Sequence, residues 1–174
     1  RLVEVARRLR EDHLFRGYIH LKTIPDADPA MIEEAGRYAD RLSINIELPT
    51  SGGLARLAPE KDAGRIRTAM ARLRLRLEES GAERRSRRGR GNPEALTATG
   101  QSTQMIVGAD DADDRAILTT SASLYAGYRL KRVYYSAFSP IPYPSESLPT
   151  APAPLLREHR LYQADWLYRF YGFG

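Results

Sequence analysis

At 174 residues the chain is long enough for one domain with its own hydrophobic core. It contains no cysteine, which excludes disulfides, thiol nucleophiles and thiolate metal sites within these residues, and its three histidines (His13, His20 and His159) are too far apart for a metal-ligand spacing. A net charge of +5 and a pI of about 9.6, with five arginines gathered in "ERRSRRGRG" (83–91), suit a polyanionic partner, although a charge run alone is more often a solvated loop. No apolar run is long enough to span a bilayer and no signal-peptide pattern opens the chain, so no membrane segment and a cytoplasmic location are expected. The chain opens directly in a helical pattern without Met, so Arg1 is not expected to be a natural start.

"RLVEVARRLREDHLF" carries apolar residues at helical spacing. "RGYIHLKTIP" follows as a strand that Pro25 ends. "DADPAMIEEAGRYA" predicts a helix with Asp28 as N-cap and Pro29 at its first position. "RLSINIELP" is a second strand, "TSGGLARLAP" a loop with room for a short helical turn, and 60–80 a basic amphipathic helix. Residues 80–100, rich in Gly, Arg and Ser, read as a flexible basic loop. "STQMIVGA" predicts a third strand, 110–128 a helix, and "LKRVYYSAFSP" a fourth strand. Six prolines make 140–154 an extended loop, and an aromatic-rich helix closes the chain. Strands alternating with helices imply one α/β domain over 1–174 with about four parallel strands. That is either an open sheet or a piece of a TIM-like barrel, and in both the ligands sit at the carboxyl ends of the strands.

Those ends carry the candidate chemistry. In "INIELP", Asn45 and Glu47 are two apart, so strand alternation places them on one side, where a carboxylate and an amide suit a ribose diol or an ammonium group. Two polar residues there can also simply bond each other. Lys22 suits either a bound carboxylate or an ion pair with Glu47 on the next strand. In "QMIVGADD" the strand runs into Gly108 and then into four acids within five positions, Asp110, Asp111, Asp113 and Asp114. Acids there complement a helix dipole without any ligand, whereas Gly108 would let the backbone approach something flat, with Ile106 beside it. No glycine-rich phosphate loop is present, and the acids would repel phosphate. Ser136, at the end of the fourth strand, completes the set.

Taken together, "GYIHLKTIP", "ADRLSINIELP", "LAPEK", "GQSTQMIVGA", "YRLKRVYYSAFSP" and "PLLREHRLYQADWLYRFYGF" resemble the radical S-adenosylmethionine (radical SAM) enzymes, in particular a subgroup linked by its name to DNA modification and repair. The resemblance implies a partial (β/α)6 barrel of which these are the last four strands. It implies S-adenosylmethionine as cofactor, with Asn45 and Glu47 on the ribose-binding strand and Ile106 and Gly108 near the adenine. Lys22 and Ser136 would be further contacts on the open barrel face. The motif G-x-I-x-G-x-x-E is met only in part, because Gln104 replaces its first Gly and Asp111 its Glu. The C-x-x-x-C-x-x-C loop is absent, so the ligands of the implied 4Fe–4S cluster are not in this chain, and no cleavage of S-adenosylmethionine is expected from these residues alone. No catalytic residue is singled out. The alternative expectation is a non-catalytic protein that binds DNA or another nucleic acid through Arg84, Arg85, Arg87, Arg88 and Arg90, together with the basic helix 65–76.

Overall fold

The computed structural model describes residues 1–86 and 96–173. Four strands, β1 (His20–Thr23), β2 (Arg41–Ile44), β3 (Gln101–Val107) and β4 (Arg132–Ala137), form one all-parallel sheet in the order β1-β2-β3-β4. The helices are α1 (Leu2–Glu11), α2 (Pro29–Tyr38), α3 (Ser51–Leu57), α4 (Ala63–Ser86), α5 (Asp114–Tyr128) and α6 (Leu155–Tyr171). Because the strand order never reverses, every crossover runs the same way. With the handedness that parallel crossovers take, the helices then lie on one face of the sheet, as in a barrel wall and unlike a doubly wound sheet. The α/β architecture of a partial, TIM-like β/α barrel is the one expected.

Burial follows that arrangement. Leu42, Ile44, Met105, Val107, Val133 and Tyr135 point into a core completed by Ile66, Met70 and Leu73 of α4 and by Ile117 and Leu124 of α5. On the alternate positions, His20 and Lys22 are exposed while Gln104, Ile106, Tyr134 and Ser136 are half-buried. Local signals explain several boundaries. Asp28 accepts the Ala30 amide at 2.8 Å with Pro29 beginning α2, and Asp113 accepts the Ala116 amide at 2.7 Å to begin α5.

Two boundaries are corrected. The helix expected over 110–128 begins at Asp114, after the Asp113 cap. Residues 80–86 are not loop, since α4 continues to Ser86 and carries Arg84 and Arg85 in its last turn. Two contacts hold that extension against the chain returning to β3: the Leu96 amide donates to Ser80 Oγ at 3.1 Å, and Arg84 donates to the Leu96 carbonyl. Leu96 and Ala98 are buried, so 96–100 belongs to the body of the domain. Arg87, Arg88 and Arg90 lie outside the described residues. The proline-rich stretch 140–154 is irregular throughout and returns over the sheet end, where the Ala153 amide donates to the Phe138 carbonyl at 3.1 Å.

The two edges of the sheet differ. Along the outer edge of β4 every second amide is taken by a side chain. The Val133 amide donates to Tyr125 Oη at 2.9 Å, that of Tyr135 to Tyr162 Oη at 3.0 Å, and that of Ala137 to Glu158 Oε2 at 2.7 Å. Tyr162 also donates back to the Tyr135 carbonyl at 3.0 Å, so α6 bonds to β4 much as a fifth strand would. Beneath them Tyr125 donates to the buried Asp165 at 2.5 Å, and Arg169 holds the other carboxylate oxygen at 2.8 Å. Burial, then the Asp165 carboxylate, pushes the Tyr125 hydroxyl far above the ordinary phenol range, and burial does the same for Tyr135. Both therefore stay protonated donors. Among the described residues no strand pairs with the outer edge of β1.

Candidate functional site

The carboxyl ends of β2 and β3 are joined irregularly. The ladder runs Leu42 to Gln101 and Ser43 to Ser102, then resumes at Glu47 and Met105 with one more residue on the β2 side. This is a bulge, and Thr103 fills it. Its hydroxyl donates to the Ile44 carbonyl at 2.7 Å and accepts the Ile46 amide at 3.0 Å, replacing the lost backbone partners. Glu47 then adopts φ of 65°, a left-handed conformation that a non-glycine residue takes at a cost. Its carbonyl accepts the Ile106 amide at 2.7 Å, and its amide donates to the Gln104 carbonyl at 3.2 Å.

The expected alternation of Asn45 and Glu47 is therefore corrected. β2 ends at Ile44, and the two residues leave it through a bulge. Asn45 is 8% exposed and its Oδ1 is buried with no hydrogen-bond partner among the described residues. An orphaned buried acceptor costs about 1–3 kcal/mol, and a donor from a ligand would remove that cost. The Glu47 carboxylate pairs with Lys61 at 2.7 Å. Lys22, the expected alternative partner of Glu47, is not its ion-pair partner. It is exposed on the edge strand, paired in register with Ser43 and two strand spacings, roughly 10 Å, from β3. Beside it the His20 side chain, though exposed overall, has its ring between Tyr18 and Tyr134, and this partial desolvation, then the Arg41 and Lys22 charges, pushes it below its ordinary pKa.

The acidic stretch after β3 is accounted for residue by residue. Asp110 sits against Thr50 and Gly53 at the start of α3, with Thr50 Oγ1 at 3.4 Å. Asp111 pairs with Arg56 at 3.3 Å, Asp113 caps α5, and Asp114 pairs with Arg157 at 2.6 Å. Gly108 has φ of 79°, which explains the glycine. A Cβ there would meet the Ala153 Cβ at 2.7 Å, so this side of Gly108 is covered by the proline-rich loop rather than left bare.

The structure thus gathers Asn45, Glu47, Ile106, Gly108 and Ser136 at the ends of β2, β3 and β4, with Ile106 and Ser136 direct register partners, and leaves Lys22 apart. Four cavities of about 350, 320, 490 and 400 Å³ are lined by none of these six residues. Among the described residues no cluster of His, Asp or Glu could hold a metal ion, and no helix is long and apolar enough to cross a membrane. Sequence reasoning missed Thr103 and Lys61. Their partners lie 57 and 14 residues away, and no local pattern signals either contact.

No family model, curated protein or solved structure matches the chain.

Proposed function

We propose that the chain is the carboxy-terminal part of a radical SAM barrel and holds S-adenosylmethionine across the ends of β2, β3 and β4. The observation that carries this reading is Asn45, a buried amide whose Oδ1 has no partner among the described residues, two positions before Glu47 with its unfavourable backbone angle. Oδ1 would accept from a ribose hydroxyl or the ammonium group, and Glu47 would accept from a second donor if Lys61 released it. Ile106 would offer an apolar wall to the adenine. The sealed edge of β4 agrees with a sheet that ends there, and so with the last strands of a partial barrel.

A 4Fe–4S cluster does not fit these residues, because the 174 contain no cysteine. The work of this chain is binding and orientation.

Calorimetric titration of the chain with S-adenosylmethionine tests the reading. Saturable binding is expected, weakened about tenfold or more by Asn45→Ala and by Glu47→Gln, since each loses a hydrogen bond worth roughly 1–3 kcal/mol. Absence of binding by folded protein, or binding indifferent to both substitutions, overturns it.

A further inference from the structure

At the opposite end of the sheet lies a cavity of about 350 Å³ between the last turns of α4, the start of β3 and the turn from α5 into β4. Among the described residues five cations line it, Arg74, Arg84, Arg85, Arg129 and Lys131, against the one carboxylate of Glu78. Glu78 already serves two of them, with Arg74 at 3.0 Å and Arg129 at 3.2 Å. Four positive charges remain in surplus. Helix dipoles account for part of this, because α4 and α5 both end here and each carboxyl terminus carries roughly half a negative charge. About three positive charges are left for something else.

Two further features mark the cavity. Arg129 occupies the left-handed C-cap of α5 at φ of 51°, where glycine is the favoured residue. Gln101 lines the cavity at 1% exposure, its Nε2 donating to the Met70 and Tyr128 carbonyls at 3.0 Å each. That fixes the amide's orientation and leaves its Oε1 buried with no partner among the described residues. Lys131 lies flat across Gly100, whose absent Cβ would stand 2.5 Å from Lys131 Cγ.

We propose that this cavity binds the phosphate group of a hydroxyl-bearing ligand. A phosphate dianion of about −1.5 to −2 would neutralise half or more of that surplus. The guanidinium groups supply paired N–H donors for its oxygens. A ligand hydroxyl would satisfy Gln101 Oε1, which the anion cannot do. The volume sits at the low end for small-molecule sites and suits a phosphorylated sugar. The same chemistry is presented by a free sugar phosphate and by the phosphorylated end of a nucleic-acid strand. The proposal does not depend on S-adenosylmethionine binding, which concerns the other end of the strands.

The test is calorimetry of the full chain with ribose 5-phosphate at low ionic strength, with sulfate as the control anion. Saturable binding tighter than that of sulfate is expected. Arg129→Gly keeps a residue suited to the left-handed cap, and Lys131→Met keeps the apolar stem over Gly100, so both variants should unfold at the wild-type temperature. Each is expected to weaken binding about tenfold or more. Competition by a 5′-phosphorylated octanucleotide, and not by its unphosphorylated counterpart, would identify a strand end as the source. Binding of ribose 5-phosphate without such competition would identify a small molecule. No saturable binding, equal affinity for sulfate, or unchanged affinity in both variants overturns the proposal.

Discussion

Thr103 satisfies two backbone groups with one hydroxyl and so holds the bulge from which Asn45 and Glu47 emerge. It is fully buried, so water cannot take over either bond. Thr103→Val keeps the shape and removes the hydroxyl, orphaning the Ile46 amide and the Ile44 carbonyl. At roughly 1–3 kcal/mol for each group, a loss of about 3 kcal/mol is expected in urea unfolding. A loss below about 1 kcal/mol would show that the bulge does not depend on this residue. Threonine in "QSTQMIV" reads as an ordinary strand residue, and nothing nearby reveals that its partners come from 57 and 59 residues earlier. The alternation of Asn45 and Glu47 failed for the same reason, because a bulge is a property of two strands and the sequence pattern of one strand does not contain it.

Elements were more legible than their junctions. Asp28 with Pro29 is a local start signal, acting through the amide two residues on, and it holds, whereas the helix expected from Asp110 begins only at Asp114, capped by Asp113. The end of α4 was not legible, since Gly81 and the arginines suggest a stop while Ser80 and Arg84 gain partners at Leu96 that only the fold supplies. The aromatic character of α6 was plain, but its use was not. Tyr162 bonds both backbone groups of Tyr135, a task that would otherwise need a neighbouring strand. Tyr162→Phe leaves that amide and carbonyl without partners at a half-buried edge. We expect a stability loss of about 1–2 kcal/mol, and faster hydrogen exchange confined to β4 with the Tyr135 amide leading. Uniform acceleration across the sheet would show that the hydroxyl acts only through global stability.

For the molecule as a whole, the asymmetry of the sheet is the governing fact. One edge is closed by Tyr125, Tyr162 and Glu158, while the edge at β1 has no strand partner among the described residues. An unpaired strand edge is a template for another chain, here moderated by exposed His20 and Lys22. We expect the average mass in sedimentation velocity to rise with protein concentration, and a monomer independent of concentration would show that the edge is already protected. The two candidate sites lie at opposite ends of this sheet. One is built around an orphaned amide and the other around surplus positive charge, so each can be disabled without touching the other.

The side-chain closure of β4 also bears on the order in which the chain is made. β4 is finished at Ala137, and of the residues that close its outer edge Tyr125 precedes it while Glu158 and Tyr162 follow in α6. Synthesis at about 5–20 residues per second places Tyr162 roughly 1–5 s after Ala137, and until then the Tyr135 and Ala137 amides have no side-chain acceptor. The closure of β4 is thus completed only by residues made after it, and a chain stalled within the proline-rich stretch would hold a sheet able to recruit a strand at either edge.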